Sequence, residues 1–136
     1  MFLYINTSKN KQFGVFLLTQ NKVLNKIIKK GDYKISENLL QVIVDIFKKN
    51  HLQLNKLQGI IAVIGPGPFT SLRIAVTVAN TLAFSLQIPV VGLINTDNLT
   101  DRQLIKRGLA KIKTVKTVNY LQPFYNQEPN ITQPKT

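Results

Sequence analysis

No cysteine occurs among the 136 residues, which excludes a disulfide framework and a thiolate metal site. There is a single histidine, His51. Without cysteine or a carboxylate cluster beside it, it is a poor metal ligand and reads as a surface or helix-end residue. Only six residues are acidic. They are scattered, and no two are placed for acid–base work. Ser8 and Ser36 show no histidine–carboxylate partners, so serine nucleophile chemistry lacks support. No catalytic residue and no metal ligand is therefore expected in this chain. The opening MFLYINTSKNK has no charged start and no small-residue cleavage site, so a secretory leader is not expected and a cytoplasmic location is.

Charge is also absent over one long stretch, from Arg73 to Asp97. That run is long enough for a membrane span. Thr77, Asn80, Thr81, Ser85, Gln87 and Asn95 punctuate it, however, and Pro89 interrupts it. A buried helix followed by a buried strand fits better.

What is present is an apolar fraction of 44%, suited to one globular domain with a single core. The basic residues number 18, for a formal net charge of +12. Such an excess favours anionic partners: RNA, a nucleotide or an acidic protein surface. Most of these residues are lysine and asparagine is abundant, a pairing that compositional bias alone can produce.

The hydrophobic pattern predicts strands at Phe2–Asn6, Phe13–Leu18 and Lys22–Lys30, joined by short polar links into an antiparallel meander. Ser36 is a good N-cap and Glu37 suits the helix dipole. Leu39, Leu40, Ile43, Ile46 and Phe47 then make a helical stripe, which predicts a helix over Ser36–Asn50. The apolar run Leu57–Gly65 predicts a buried strand. A second helix follows from about Pro68 to Leu86, then a buried strand over Ile88–Ile94, so the two strands and the helix make a parallel crossover unit. Beyond Asn95 a short helix is expected from near Thr96 or Thr100 to Gly108. KIKTVKTVNYL, from Lys111 to Leu121, reads as a late edge strand, and the segment from Pro123 as an extended tail. The architecture expected is α/β, a mixed sheet with helices on its faces.

The second helix carries a stripe of Phe69, Leu72, Val76, Ala79, Ala83 and Leu86, with Ile74, Val78 and Leu82 as a second strip beside it. A helix on one face of a sheet needs only one stripe. The expectation is that one face packs on the sheet and the other on a partner.

Between strand and helix lies GPGPFTSLRIA, residues 65–75. It lacks the Gly-Lys-Ser/Thr ending of a phosphate-binding loop of the Walker type and the third glycine of a dinucleotide fingerprint. On pattern alone Gly65, Pro66 and Gly67 make a tight corner and Pro68 starts the helix. Phe69 belongs to the same turn, while Thr70 and Arg73 stand where a helix N-terminus can hold an anion.

That stretch closely resembles the Gly-Pro-Gly-Ser-Phe-Thr-Gly-Leu-Arg-Ile-Gly signature of the TsaB (YeaZ-like) family. LYINTS resembles the family's opening strand, SENLL the start of its first helix, IPVVGL its next strand, and LQPFYNQEPNITQPK its closing tail. The resemblance implies an actin-like ATPase/RNase H-like domain over residues 1–95. It implies a short remnant at 96–120, where the family usually carries a second domain, and a proline-containing tail at 121–136. Asn6 stands where the family has aspartate, and Pro68, Ser71 and Ala75 replace a serine and two glycines of the signature.

The function implied is a non-catalytic scaffold for N6-threonylcarbamoyladenosine formation at tRNA position 37. Its partners would be a TsaD-type catalytic subunit and a TsaE-type ATPase, with tRNA reached through the complex and a homodimer as a further expectation for the isolated chain. No cofactor is expected on this chain alone, with ATP or ADP expected at a shared interface. Leu40, Val44, Thr77, Asn80, Thr81 and Phe84 are the candidate contact positions. Two other readings stand beside it. One is a small actin-like-fold nucleotide hydrolase or peptidase-like enzyme. The other is an RNA-binding module built on Arg102, Lys106, Arg107, Lys111, Lys113 and Lys116, with Tyr120 and Phe124 as stacking groups.

Overall fold

The chain begins with three strands, β1 (Phe2–Asn6), β2 (Gln12–Leu18) and β3 (Val23–Lys30), in a computed structural model that describes residues 1–31, 35–115 and 120–122. There follow α1 (Ile35–Lys49), a short 3-10 turn at Leu54–Lys56, β4 (Gly59–Gly65), α2 (Phe69–Leu86), β5 (Val90–Ile94) and α3 (Asp101–Ile112). The sheet order is β3-β2-β1-β4-β5. β1 pairs antiparallel with β2 and parallel with β4, so it is the seam between the meander and the crossover half. β4 pairs parallel with β5.

Both faces of the sheet are covered. On one, Leu3, Ile5, Val15, Ile60 and Ala62 pack with Leu39, Ile43 and Ile46 of α1 and with Ala75, Ala79 and Ala83 of α2. On the other, Phe2, Tyr4, Phe16, Ile61 and Val91 pack with Leu104, Ile105 and Ile112 of α3. Burial on both faces explains why β1 and β4 read as unbroken apolar runs. β3 is an edge strand. Val23, Leu24 and Ile28 stay exposed on it, and lysines protect the edge.

Three expectations change. The third helix does not stop at Gly108 but continues to Ile112. A Cβ on Gly108 would lie 2.5 Å from Ile61 Cγ2, so this glycine lets α3 approach β4 and does not end the helix. Lys111 and Ile112, expected in the late edge strand, are therefore helical, and residues 116–119 of that expectation lie outside the described residues. The tail from Pro123 lies outside them too. Pro68 is the N-cap of α2, with ψ of 128°, and Phe69 is the first helical residue.

The start of α3 is settled at Thr100. Its hydroxyl accepts from the Gln103 amide at 3.2 Å, while the Gln103 side chain accepts from the Thr100 amide at 2.9 Å. His51 closes α1 in a left-handed conformation, φ 55°, and is exposed, as a helix-end residue should be.

Candidate functional site

The signature turn sits at the C-terminal end of β4, beside the end of β1. Gly65 has φ of 145°, which favours glycine, and a cis peptide bond joins it to Pro66. Gly67 faces Ser8: a Cβ there would lie 2.6 Å from the Ser8 carbonyl oxygen. Buried Thr7 donates to the Ser71 carbonyl at 3.1 Å, which fastens the first turn of α2 to β1. The corner is thus closed against the neighbouring loop. Thr70 and Arg73 point away from it and, with Ile74, Thr77 and Val78, line an open depression of about 340 Å³ on α2. The Arg73 guanidinium lies over the Phe69 ring, 5.2 Å from its centroid. Phe69 is therefore exposed, and not part of the buried stripe in which its spacing placed it.

At the end of β1 the buried Asn6 side chain is fully engaged. Its amide donates to Asp101 Oδ1 at 2.7 Å, and its carbonyl accepts from the Ser8 amide at 2.9 Å and the Ser8 hydroxyl at 2.6 Å. The Tyr4 hydroxyl donates to the same Asp101 oxygen at 2.7 Å. Burial pushes the Tyr4 phenol far above its usual range, and the Asp101 carboxylate pushes it the same way, so it stays a donor. Lys9 reaches Asp101 Oδ2 at 3.9 Å. This is a closed structural knot. Its one carboxylate already accepts from two side chains, and Asn6 has no free oxygen for a cation. Asn6 thus offers no carboxylate at the end of β1, and among the described residues no three of His, Cys, Asp or Glu gather.

The contact positions named from the sequence fall on two helices. Leu40 of α1 is 51% exposed and Val44 half-buried. On α2, Leu72, Ala75, Val76, Ala79 and Ala83 face the sheet, while Thr77, Thr81 and Phe84 face outward. Phe84 is 60% exposed. Asn80 is engaged within the chain: its side chain donates to the Leu121 carbonyl at 3.0 Å and accepts from the Leu121 amide at 2.8 Å. This pins Tyr120 beside Phe84, ring centroids 6.3 Å apart. Tyr120 therefore stands on the α2 side of the sheet, not beside the basic residues of α3 with which the sequence grouped it. Phe124 and Lys116 lie outside the described residues.

The family model described as "TsaD: tRNA N6-adenosine threonylcarbamoyltransferase" matches residues 29–111, more than half of the chain. A protein of Bacillus subtilis named tRNA threonylcarbamoyladenosine biosynthesis protein TsaB is 31% identical over 97 residues, 71% of this chain and 42% of the relative. The chain belongs to the TsaB (YeaZ-like) family. A relative of the same name from Buchnera aphidicola of Baizongia pistaciae is 33% identical over 90 residues, 65% of this chain and 41% of the relative. Among solved structures, YeaZ from Pseudomonas aeruginosa superposes with a TM-score of 0.67 at 29% identity, over 79% of this chain and 49% of that one. The fold is thus the actin-like/RNase H-like α/β fold of that family. The chain spans less than half the length of the curated relatives it matches.

The knot of Tyr4, Asn6, Lys9 and Asp101 was not legible beforehand. Asp101 lies 95 residues from Asn6, and only the topology brings the start of α3 to the end of β1. The Asn80–Leu121 pairing was hidden for the same reason.

Proposed function

We propose that this chain is a non-catalytic accessory subunit in the formation of N6-threonylcarbamoyladenosine on tRNA, and that it pairs with a TsaD-type catalytic subunit in the cytoplasm. The observation that carries the reading is the outward face of α2. It has no charged residue after Arg73, and it leaves Thr77, Thr81 and, beside Tyr120, most of Phe84 exposed on a helix that is long and apolar enough to cross a membrane by length and composition. Its other face is occupied by the sheet. A partly aromatic face with a single cation at its start is what a helix presents to a protein partner. Leu40 and Val44 extend it onto α1, which packs beside α2 on the same side of the sheet. The names of the relatives supply the pathway, and the closed knot at Asn6 and Asp101 counts against a nucleotide hydrolase.

In this reading a TsaE-type ATPase joins the pair, tRNA is reached through the complex, and ATP or ADP sits at a shared interface. Co-purification tests it: the chain is expected to capture a TsaD-type subunit, and a Phe84→Glu variant to lose that capture while keeping its fold. Equal capture by the variant would remove the α2 face from the reading.

A further inference from the structure

α3 presents a solvent face of one charge sign. Its buried side is Leu104, Ile105, Gly108 and Ile112. Placing the sequence at 100° per residue sets Arg102, Lys106, Arg107 and Lys113 on the opposite arc, with Gln103 and Ala110 between them, and all six are exposed. None of the four cations makes a hydrogen bond or ion pair with a described residue; the described salt bridge is Lys9–Asp101. The helix's one acid, Asp101, is turned inward to Tyr4 and Asn6. The other acid nearby, Asp97, lies in the loop before the helix. Lys111 is drawn aside, donating to the Gly92 carbonyl at 2.9 Å.

This arrangement works against the helix itself. Arg102 sits in the first turn, where the macrodipole disfavours a cation. Arg102 and Lys106 are like charges four residues apart on one helix face, an unfavourable pairing. An anionic partner would relieve both effects. From Arg102 to Lys113 the axis rises about 16 Å, long enough to lie along several successive phosphates of one strand. Two guanidiniums provide the forked donors that suit phosphate. A membrane surface fits poorly, because an interfacial helix needs an exposed apolar face and this one spends its apolar side on the sheet.

We propose that the outer face of α3 binds the phosphate backbone of RNA, through Arg102, Lys106, Arg107 and Lys113. The choice of RNA rests on the tRNA reading above; the cationic face does not. Lys116 is not needed for it, and Tyr120 lies on the other side of the sheet.

The test is the affinity of the full chain for a labelled tRNA transcript between 50 and 200 mM salt. Four phosphate contacts predict that binding weakens roughly 50- to 150-fold over that range. The variant Arg102→Gln/Lys106→Gln/Arg107→Gln/Lys113→Gln is expected to lose both the affinity and most of the salt slope. It should still capture the TsaD-type subunit. A control of equal charge, Lys22→Gln/Lys30→Gln/Lys49→Gln/Lys56→Gln, removes exposed lysines elsewhere and is expected to keep most of the affinity. Equal loss in the control overturns the proposal, since net charge alone would then explain binding. So does loss of subunit capture by the α3 variant, or equally tight binding to phosphatidylserine vesicles. Ultraviolet crosslinking of the unaltered chain to the transcript gives a readout independent of variant folding. Crosslinks within 101–113 support the proposal, and crosslinks confined to other segments overturn it.

Discussion

The Asn6 side-chain amide donates to the Asp101 carboxylate across 2.7 Å and so joins the last residue of β1 to the first residue of α3. An amide can make that bond, and an ionised carboxylate at the same position cannot. Asn6→Asp is expected to destabilise the fold by about 2 kcal/mol at pH 7, the scale for leaving buried polar groups unsatisfied. Two ionised carboxylates in contact would also repel, and protonation in acid relieves that repulsion. The penalty should therefore be small in acid and grow toward neutral pH. Urea denaturation at pH 4 and pH 7 checks both the size and the direction.

Tyr4→Phe removes the second donor to Asp101. A loss of about 1.5–2 kcal/mol at pH 7 is expected, since the acceptor is charged. The folded phenol is raised above its unfolded value of about 10, so its contribution is complete below that pH and fades as pH climbs beyond it. The gap between the variant and the parent should accordingly narrow in alkaline denaturation series. A constant gap from pH 7 to pH 11 would contradict the assignment.

Gly108→Ala sets helix propensity against packing. Propensity favours alanine by about 1 kcal/mol. The added methyl would meet Ile61 at 2.5 Å inside a filled core, where overpacking typically costs about 1–3 kcal/mol. A net loss of stability is expected, read as a lowered thermal midpoint. A more stable variant would show that α3 does not need the close approach.

Asn80→Ala should release the segment around Leu121 while leaving most of the global stability intact, because the amide bonds that segment at both its donor and its acceptor. Hydrogen exchange at the Leu121 amide is the measurement. It should quicken in the variant, and the core amides of β1 and β4 should not.

Much of the fold could be read in advance because each element advertises itself locally. The apolar runs of β1 and β4, the stripe of α1 and the charge-free span of α2 all lie within one window of sequence. β3 was recognisable despite imperfect alternation, since as an edge strand it keeps Val23, Leu24 and Ile28 exposed. What escaped the sequence was set by tertiary approach. Gly108 looked like a helix stop because its reason, the side chain of Ile61, lies 47 residues away in the sequence. Phe69 matched the buried stripe by spacing, yet at the first turn of α2 it stacks with Arg73 in solvent. Of the candidate site, the signature turn was visible as a motif. That it is sealed against Ser8 depends on β1 and β4 lying side by side, and the basic stretch was divided only when Lys111 turned toward Gly92.

We propose that the outer face of α2, free of charge after Arg73, makes this chain a required partner of a TsaD-type transferase. The most direct measurement is the N6-threonylcarbamoyladenosine content of tRNA after reaction with the purified transferase, with the chain present, absent, or carrying Phe84→Glu. Modification is expected with the parent chain, and background levels without it or with the variant. Equal modification in all three reactions would contradict that proposal.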